Sequence, residues 1–174
     1  MTSLSALPMY RVLCGFLTEG TCFDILTPIA IHREVTMERT LVLVKPDGVR
    51  RMLVGEIIGR FERRTLAIKG LKILNPTKET AERHYEVHRG KPFFEGVVKF
   101  ISSSSVVAIV LEGESAISIV RGMMGALQPT DAQPGTIRGD YTLSVQENLV
   151  HGSDSIESAE REIPVWFRPE ELLP

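Results

Sequence analysis

The hydrophobic positions of the chain from Met37 onward follow two periods, one typical of strands and one typical of helices. Short apolar runs of strand character lie at Arg39–Lys45, Leu66–Leu74, Val106–Leu111 and Leu149–His151. Helical spacing of apolar residues is found at Leu53–Arg64, Lys78–Tyr85, Pro92–Ile101, Ser115–Met124 and Ser155–Ile163. With the smaller helices set aside, the order is β-α-β followed by β-α-β.

This order predicts an α+β fold of the ferredoxin-like βαββαβ type, a four-stranded antiparallel sheet with the helices on one face. Turn residues define its boundaries. Pro46-Asp47-Gly48 is typical of a turn, Pro92 of the first turn of a helix, and Pro164 of a residue that follows a helix end. The stretch Gly125–Gly139 predicts a long ordered loop, and loops of that length usually have a function.

The first 36 residues differ in character from the rest. They contain both cysteines, Cys14 and Cys22, and carry two arginines against three acidic residues. A transit peptide would be richer in arginine, and the apolar stretch Val12–Leu17 is too short for a secretory signal. We therefore predict a leader at residues 1–36, either disordered or the product of a start codon assigned too far upstream, and one folded domain at 37–174.

Composition excludes several classes of protein. The net charge of −2 and the pI near 6.1 give no general attraction to nucleic acid or to anionic membranes. No apolar run approaches the roughly 20 residues that a membrane span needs. The predicted domain has no cysteine, so disulfides do not stabilise it, which fits a reducing cytoplasm. Any anion site must come from a local cluster of cations.

The segment Asn148–Ser155 (NLVHGSDS) carries the most reactive chemistry. It places His151 at a strand end, directly before a glycine that would free it from packing. An imidazole acts as a nucleophile when one ring nitrogen is unprotonated and an acceptor holds the other. Glu162 is a candidate acceptor, and Ser153 could add a hydrogen bond. The alternative is a structural histidine, which is the commoner role of a lone histidine.

Cations that could hold a phosphoryl group are scattered along the chain, at Lys45, Arg121 and Arg138. Fixed positive charges stabilise the oxygens of a phosphoryl group in transfer. Taken singly, each is an ordinary surface cation, and only convergence in space would make them a site. Neither a phosphate-binding loop nor a GxGxxG motif is present, so nucleotide binding would depend on side chains.

Two further pairs of residues allow alternative interpretations. His84 and His88 are four residues apart on a predicted helix, a spacing that metal ligands can share, but no third ligand is apparent. We assign both to the surface or to an interface and predict no metal site made by the protein. Phe93 and Phe94 are typical of a core, although one exposed ring could stack on a base.

From Met37 to Pro174 the chain resembles the nucleoside diphosphate kinase family. The matching segments are KPDGV at 45–49, LVGEI at 53–57, RGKPFF at 89–94, PGTIRGD at 134–140 and NLVHGSDS at 148–155. The resemblance implies a catalytic domain that moves the terminal phosphate of ATP or another nucleoside triphosphate to a nucleoside diphosphate. The mechanism would be ping-pong, with a phosphohistidine on Nδ1 of His151, and would maintain the NTP and dNTP pools.

The resemblance also implies which residues surround the phosphates. Lys45, Arg121 and Arg138 would bind them, and Tyr85 would lie beside the transferred group. Magnesium would bridge phosphate oxygens of the nucleotide without a dedicated protein site.

The remaining roles concern the nucleoside and the imidazole. By resemblance, Phe93 would stack on the base and Asn148 would contact the ribose hydroxyls, while Ser153 and Glu162 would orient His151. Members of the family are homo-oligomers, usually hexamers or tetramers, so we expect a cytoplasmic homo-oligomer that binds neither a membrane nor a specific nucleic acid.

The chain departs from the family pattern at a few positions. Leu127 stands where the family usually has a threonine that binds phosphate, which predicts weaker nucleotide binding with the chemistry retained. Four turn residues replace the usual glycine or proline and predict strain wherever φ is positive: Met52, Thr65, Ser103 and Ser104. A binding or scaffolding member of the same family is the second hypothesis, and a regulatory ligand-binding module is the third.

Overall fold

The sheet is built from four strands within residues 37–174, the part of the chain that the computed structural model describes. They are β1 (Met37–Val44), β2 (Ala67–Leu74), β3 (Val106–Glu114) and β4 (Val150–Gly152). The strands are antiparallel and lie in the order β2-β3-β1-β4. This order confirms the predicted ferredoxin-like α+β fold. The predicted leader, with Cys14 and Cys22, lies outside the described residues.

Seven α-helices connect and cover these strands in the described part of the chain. They are α1 (Pro46–Arg50), α2 (Val54–Arg63), α3 (Lys78–His84), α4 (Phe94–Ile101), α5 (Ala116–Met124), α6 (Ile137–Tyr141) and α7 (Ile156–Trp166). Short 3₁₀ turns lie at Glu86–His88 and Pro169–Glu171. None of the helices within residues 37–174 has both the length and the apolar composition that crossing a bilayer requires.

Helices cover both faces of the sheet, so the expectation that they lie on one face is wrong. Successive residues of β1 point to opposite faces. Val42 and Val44 pack with α2 and α5, whereas Leu41 and Leu43 pack with α3, α4 and α7. All four side chains are fully buried. The uninterrupted apolar run of β1 is the pattern of a strand that is covered on both sides.

Two of the proline-containing turns differ from expectation. Pro46-Asp47-Gly48 does not form a simple turn, because Pro46 begins α1, where its missing N–H is not needed. Pro92 lies before α4 rather than in its first turn. There the backbone N–H of Phe94 donates to the carbonyl of Lys91 at 3.0 Å, which closes a turn ahead of the helix.

The closing helix α7 does not end at Pro164 as the sequence suggested. Its N-cap is Ser155, whose hydroxyl accepts a hydrogen bond from the backbone N–H of Ser158 at 3.1 Å. The helix continues past the proline to Trp166, and the burial of Trp166 and Phe167 in the core offsets the one hydrogen bond that proline cannot make. The long loop that begins at Gly125 is also shorter than expected, since α6 begins within it.

Strand pairing determines which face carries the candidate nucleophile. In the β1–β4 ladder, Leu43 lies directly opposite His151. Directly paired residues point to the same face of a sheet, and Leu43 faces α3 and α7. His151 is therefore on the side of the sheet that α3 and α7 cover.

Backbone strain is found at only some of the unusual turn residues. Met52 and Thr65 have φ of 56° and 60°, as expected if those turns need a left-handed conformation. Ser103 and Ser104 are not among the described residues with positive φ, so the prediction of strain does not extend to them. Leu149, which the sequence did not single out, has φ of 69°.

Candidate active site

The strand that carries His151 is held in place by Lys45 and by α1, which follow β1 directly. The backbone N–H of Leu149 donates to Oδ2 of Asp47 at 3.0 Å, and the N–H of Lys45 donates to the carbonyl of Leu149 at 2.8 Å. These bonds hold Leu149 in its left-handed conformation and so direct the chain into β4. His151 follows two residues later, with its side chain 21% exposed. It is therefore not enclosed among aliphatic neighbours.

Gly152 serves close packing rather than freedom of the histidine. A Cβ at this position would lie 2.6 Å from Sδ of Met124 on α5. Any larger residue would require Met124 to move, so glycine allows α5 to pack directly against β4.

A carboxylate holds one nitrogen of the imidazole. Nε2 of His151 lies 2.9 Å from Oε2 of Glu162, and the hydroxyl of Ser153 donates to the same oxygen at 2.7 Å. Because an ionised carboxylate only accepts hydrogen bonds, Nε2 carries the proton and Nδ1 keeps its lone pair. The arrangement leaves Nδ1 as the atom that can act as a nucleophile.

Three cations converge around β4. Nζ of Lys45 donates to Oδ1 of Asn148 at 2.8 Å, and Nη2 of Arg138 lies 3.4 Å from the same oxygen. Arg138 also donates to the carbonyl of Val150 at 2.8 Å, and Arg121 lies 3.5 Å from the carbonyl of Gly152. The two arginines therefore contact the backbone immediately before and after His151.

Burial and mutual repulsion perturb these cations. Burial, followed by the charge of Arg138, lowers the pKa of Lys45 to about 8. Burial, followed by the charge of Arg121, lowers the pKa of Arg138 to about 10. Both groups are still mostly protonated at neutral pH. A cluster of like charges held in this way is stabilised by a bound anion.

Eight of the nine predicted site residues line one cavity of about 810 Å³: Lys45, Tyr85, Phe93, Arg121, Arg138, Asn148, His151 and Glu162. Ser153 is buried and reaches the site through Glu162. Tyr85 is also buried, which raises the pKa of its phenol, so the hydroxyl stays protonated and can donate a hydrogen bond. Half-exposed Leu127 lines the same cavity. One cavity thus lies beside the His151 ring and the three cations.

A family model described as nucleoside diphosphate kinase matches residues 38–172. The chain belongs to the nucleoside diphosphate kinase family. The nucleoside diphosphate kinase of Thermus thermophilus is 59% identical over 137 residues, which are 79% of this chain and 100% of that protein. That of Synechococcus elongatus is 55% identical over 136 residues, 78% of this chain and 91% of the relative.

Solved structures of the family have the same fold. A halophilic nucleoside diphosphate kinase from Halobacterium salinarum in complex with CDP is 48% identical, with a TM-score of 0.77. The match covers 80% of this chain and 93% of that one. The enzyme of Aquifex aeolicus has 42% identity and the same TM-score, over 79% of this chain and 100% of its own.

The assignment of His84 to the surface is wrong. This residue of the kinase domain is 3% exposed, and its ring centroid lies 4.5 Å from that of His151. The signal was present in the sequence, since Ala81, His84 and Tyr85 have the i, i+3, i+4 spacing of one buried helix face. The two neighbouring phenylalanines have different environments. Phe94 lies in the core, whereas Phe93 is 52% exposed at the cavity.

One group of potential metal ligands occurs in the described residues of this kinase: His84, His151 and Glu162, whose ligand atoms lie within 4.8 Å of one another. Nδ1 of His84 accepts a hydrogen bond from the indole N–H of Trp166 at 3.1 Å, so Nε2 carries the proton. A protonated nitrogen is not a metal ligand. The geometry therefore does not favour a metal at this group.

Proposed function

We propose that His151 carries the phosphate in the nucleoside diphosphate kinase reaction of this chain. The reaction moves the terminal phosphate of a nucleoside triphosphate to a nucleoside diphosphate in two half-reactions. The observation that carries the proposal is the pairing of Nε2 with Glu162, which leaves Nδ1 unprotonated beside the cavity. The test is incubation with labelled ATP, which should give an acid-labile, base-stable phosphoryl adduct on His151.

In the first half-reaction, the lone pair of Nδ1 forms a bond to the terminal phosphorus while the bond from phosphorus to the bridging oxygen breaks. The nucleoside diphosphate leaves with that electron pair, and a second nucleoside diphosphate reverses the process. Lys45, Arg121 and Arg138 neutralise the charge on the phosphate oxygens in both directions. Their convergence around β4 supports this role.

Glu162 and Ser153 orient the ring during these steps. The imidazole becomes positively charged when Nδ1 bonds to phosphorus, and the carboxylate of Glu162 stabilises that charge through Nε2–H. Ser153 donates to the same carboxylate and so fixes its direction. Tyr85 supplies a protonated hydroxyl beside the transferred group.

The nucleoside would lie toward the outer part of the cavity. Phe93 is exposed there and would stack on the base, a contact that does not discriminate between bases, since each has a π-face. Asn148 contacts the ribose hydroxyls. Its amide also holds Lys45 and its Nδ2 donates to the carbonyl of Val145 at 2.6 Å, so Asn148 positions a phosphate-binding lysine as well.

Magnesium would bind in this cavity mainly through the phosphate oxygens of the nucleotide. Glu162 is engaged by His151 and Ser153, while Asp154 also lines the cavity and has a pKa that is lowered chiefly by a hydrogen bond from Ser158. When bound, the ion supplies positive charge to the phosphate oxygens. Asp154 would hold it together with those oxygens.

Leu127→Thr is expected to lower the KM for nucleotide by roughly tenfold with little change in kcat, since a hydrogen bond to a charged group contributes about 1.5–3 kcal/mol. Leu127 lines the cavity but offers no hydrogen bond. Steady-state kinetics measure the effect. Leu127→Val is the matched control, because valine has the shape of threonine without the hydroxyl. Equal KM values for the two variants would contradict the prediction.

A homo-oligomer is supported by the edge strand β2. Leu71 and Ile73 are 49% and 66% exposed on this strand, which has no partner on one side among the described residues. An exposed apolar edge pairs readily with another chain. We infer that a second copy of this chain covers it, within a hexamer or a tetramer.

Ile73→Asp is expected to lower the molar mass measured by light scattering, because it places like charges at the paired edge. The residue is exposed, so the fold of one subunit should persist. Met52→Asp changes an 89% exposed methionine in a turn and should leave the mass unchanged. An unaltered mass for Ile73→Asp would exclude β2 as the interface.

We infer a cytoplasmic location from the absence of cysteine in residues 37–174. The division into a leader at residues 1–36 and a catalytic domain at 37–174 also remains a proposal. It is supported by the family match, which begins at residue 38.

A further inference from the structure

The buried histidine behind His151 has one ring nitrogen with a partner and one without. His84 ends α3, and Trp166 of α7 donates to its Nδ1 at 3.1 Å. Nε2 is one of three buried polar side-chain atoms in residues 37–174 that have no hydrogen-bond partner. Buried polar atoms are nearly always paired, so this exception calls for an explanation.

The proton of the His84 ring has a defined position. The indole N–H of Trp166 can only donate, so Nδ1 of His84 must be unprotonated. Burial, followed by the electrostatic effect of the neighbouring His151, holds the pKa of His84 well below its ordinary value, so the ring is neutral. A neutral imidazole with a bare Nδ1 carries its proton on Nε2.

His84 contacts the nucleophile from outside the cavity. The two rings lie edge to face, with centroids 4.5 Å apart and planes at 82°. A nitrogen of His84, a nitrogen of His151 and an oxygen of Glu162 lie within 4.8 Å of one another. His84 is not among the residues that line the cavity. Its effect on the reaction must therefore act through the residues it contacts, of which His151 is the nearest ring and the nucleophile, rather than through the nucleotide.

We propose that His84 is a positioning residue, which keeps the proton of His151 on Nε2 and the lone pair of Nδ1 toward the cavity, and that Trp166 holds His84 in the tautomer this requires. The inference rests on the proposed role of His151 as the phosphate carrier.

The tautomer matters because it determines how many acceptors surround the His151 ring. With the proton on Nε2, His84 presents a donor and cannot accept a hydrogen bond from His151 there. Glu162 is then the acceptor for the ring proton. If Trp166 did not donate, His84 could place its proton on Nδ1 and present a bare Nε2 as a second acceptor. The His151 ring could then rotate or change its tautomer, and Nδ1 would lose its alignment.

The neutral state of His84 also keeps Glu162 available to the His151 ring. The positive charge of a protonated His84 would attract the carboxylate of Glu162 away from His151 and would withdraw electron density from the nucleophile. Burial prevents this, and no carboxylate within residues 37–174 forms a hydrogen bond with His84 to stabilise a charge there. The edge-to-face contact then fixes the angle of the His151 ring without a second charge.

Two variants test the proposal in the full-length protein. Trp166→Phe keeps an aromatic ring at this position but removes the donor that selects the His84 tautomer. His84→Phe keeps the ring packing but removes both nitrogens. Each is compared with the wild type by the single-turnover rate of phosphoryl adduct formation from ATP, by the affinity for nucleoside diphosphate, and by nitrogen-15 spectra of labelled histidine, which distinguish the tautomers of His151.

We expect Trp166→Phe to bind nucleoside diphosphate normally but to form the adduct at least tenfold more slowly, with His151 in a mixture of tautomers. His84→Phe offers no second acceptor, so it should keep the proton of His151 on Nε2 and separates the effect of that acceptor from the effect of the ring contact. A wild-type rate in Trp166→Phe, or a His151 that keeps its proton on Nε2 in that variant, would overturn the proposal. Loss of nucleotide binding in both would also overturn it, because His84 and Trp166 would then support the whole site. Absence of the adduct from wild-type His151 would instead refute the proposed function.

Discussion

His151→Ala is expected to lose the phosphoryl adduct completely and to lower kcat/KM on the order of 10⁴-fold or more. The variant keeps the cations and the cavity, so nucleotide should still bind. It lacks the imidazole that Glu162 orients beside these cations, and binding alone cannot divide the transfer into two half-reactions. Labelled ATP followed by acid and base treatment measures the adduct, and a coupled assay measures the rate.

The matched control is His88→Ala, which removes another imidazole from the cavity wall without altering β4. This variant should still form the adduct, and peptide mapping should place the label on the segment that contains His151. A labelled His151→Ala protein would show that another group carries the phosphate. A wild type that binds nucleotide but is never labelled would favour the scaffolding hypothesis.

The fold was largely predictable from local patterns. Apolar runs and helical spacing located the four strands and the main helices, because each element has a period that its sequence must follow. The order of strands in the sheet was predicted from the order of elements along the chain, not from any residue that indicated strand pairing. The prediction failed at the second face of the sheet, although the continuous apolar run Leu41–Val44 already indicated a strand that is covered on both sides.

The site was predictable only in part. Residue types identified His151, Lys45 and Arg138 as candidates, but their convergence depends on contacts such as Lys45 with Asn148, which are 103 residues apart in sequence. The local propensity of a segment for helix or strand carries no information about such contacts. Their prediction came from the family resemblance. His84 was misassigned because its metal-like spacing from His88 drew attention away from its place on the buried face of α3.

Lys45→Met is expected to raise the stability of the protein while it lowers kcat/KM by roughly 10²- to 10³-fold. The shift in the pKa of Lys45 from 10.5 to about 8 corresponds to roughly 3 kcal/mol against the buried charge. Methionine fills a similar volume without that charge. The lost hydrogen bond to Asn148 offsets about 1 kcal/mol, which leaves a gain of ~2 kcal/mol. Lys99→Met replaces an exposed lysine on α4 and should change neither the stability nor kcat/KM.

The pH dependence of this gain identifies its cause. Below pH 8 the lysine is protonated in both the folded and the unfolded wild type, so the stability difference from Lys45→Met is largest there. Between pH 8 and 10.5 the folded protein releases its proton first, the unfolded state binds more protons, and wild-type stability rises toward that of the variant. Chemical denaturation of both proteins across this range measures the difference. A gap that stays constant with pH would mean that packing, and not the buried charge, separates them, and an unstable variant would mean that Lys45 supports the fold as well as the phosphate.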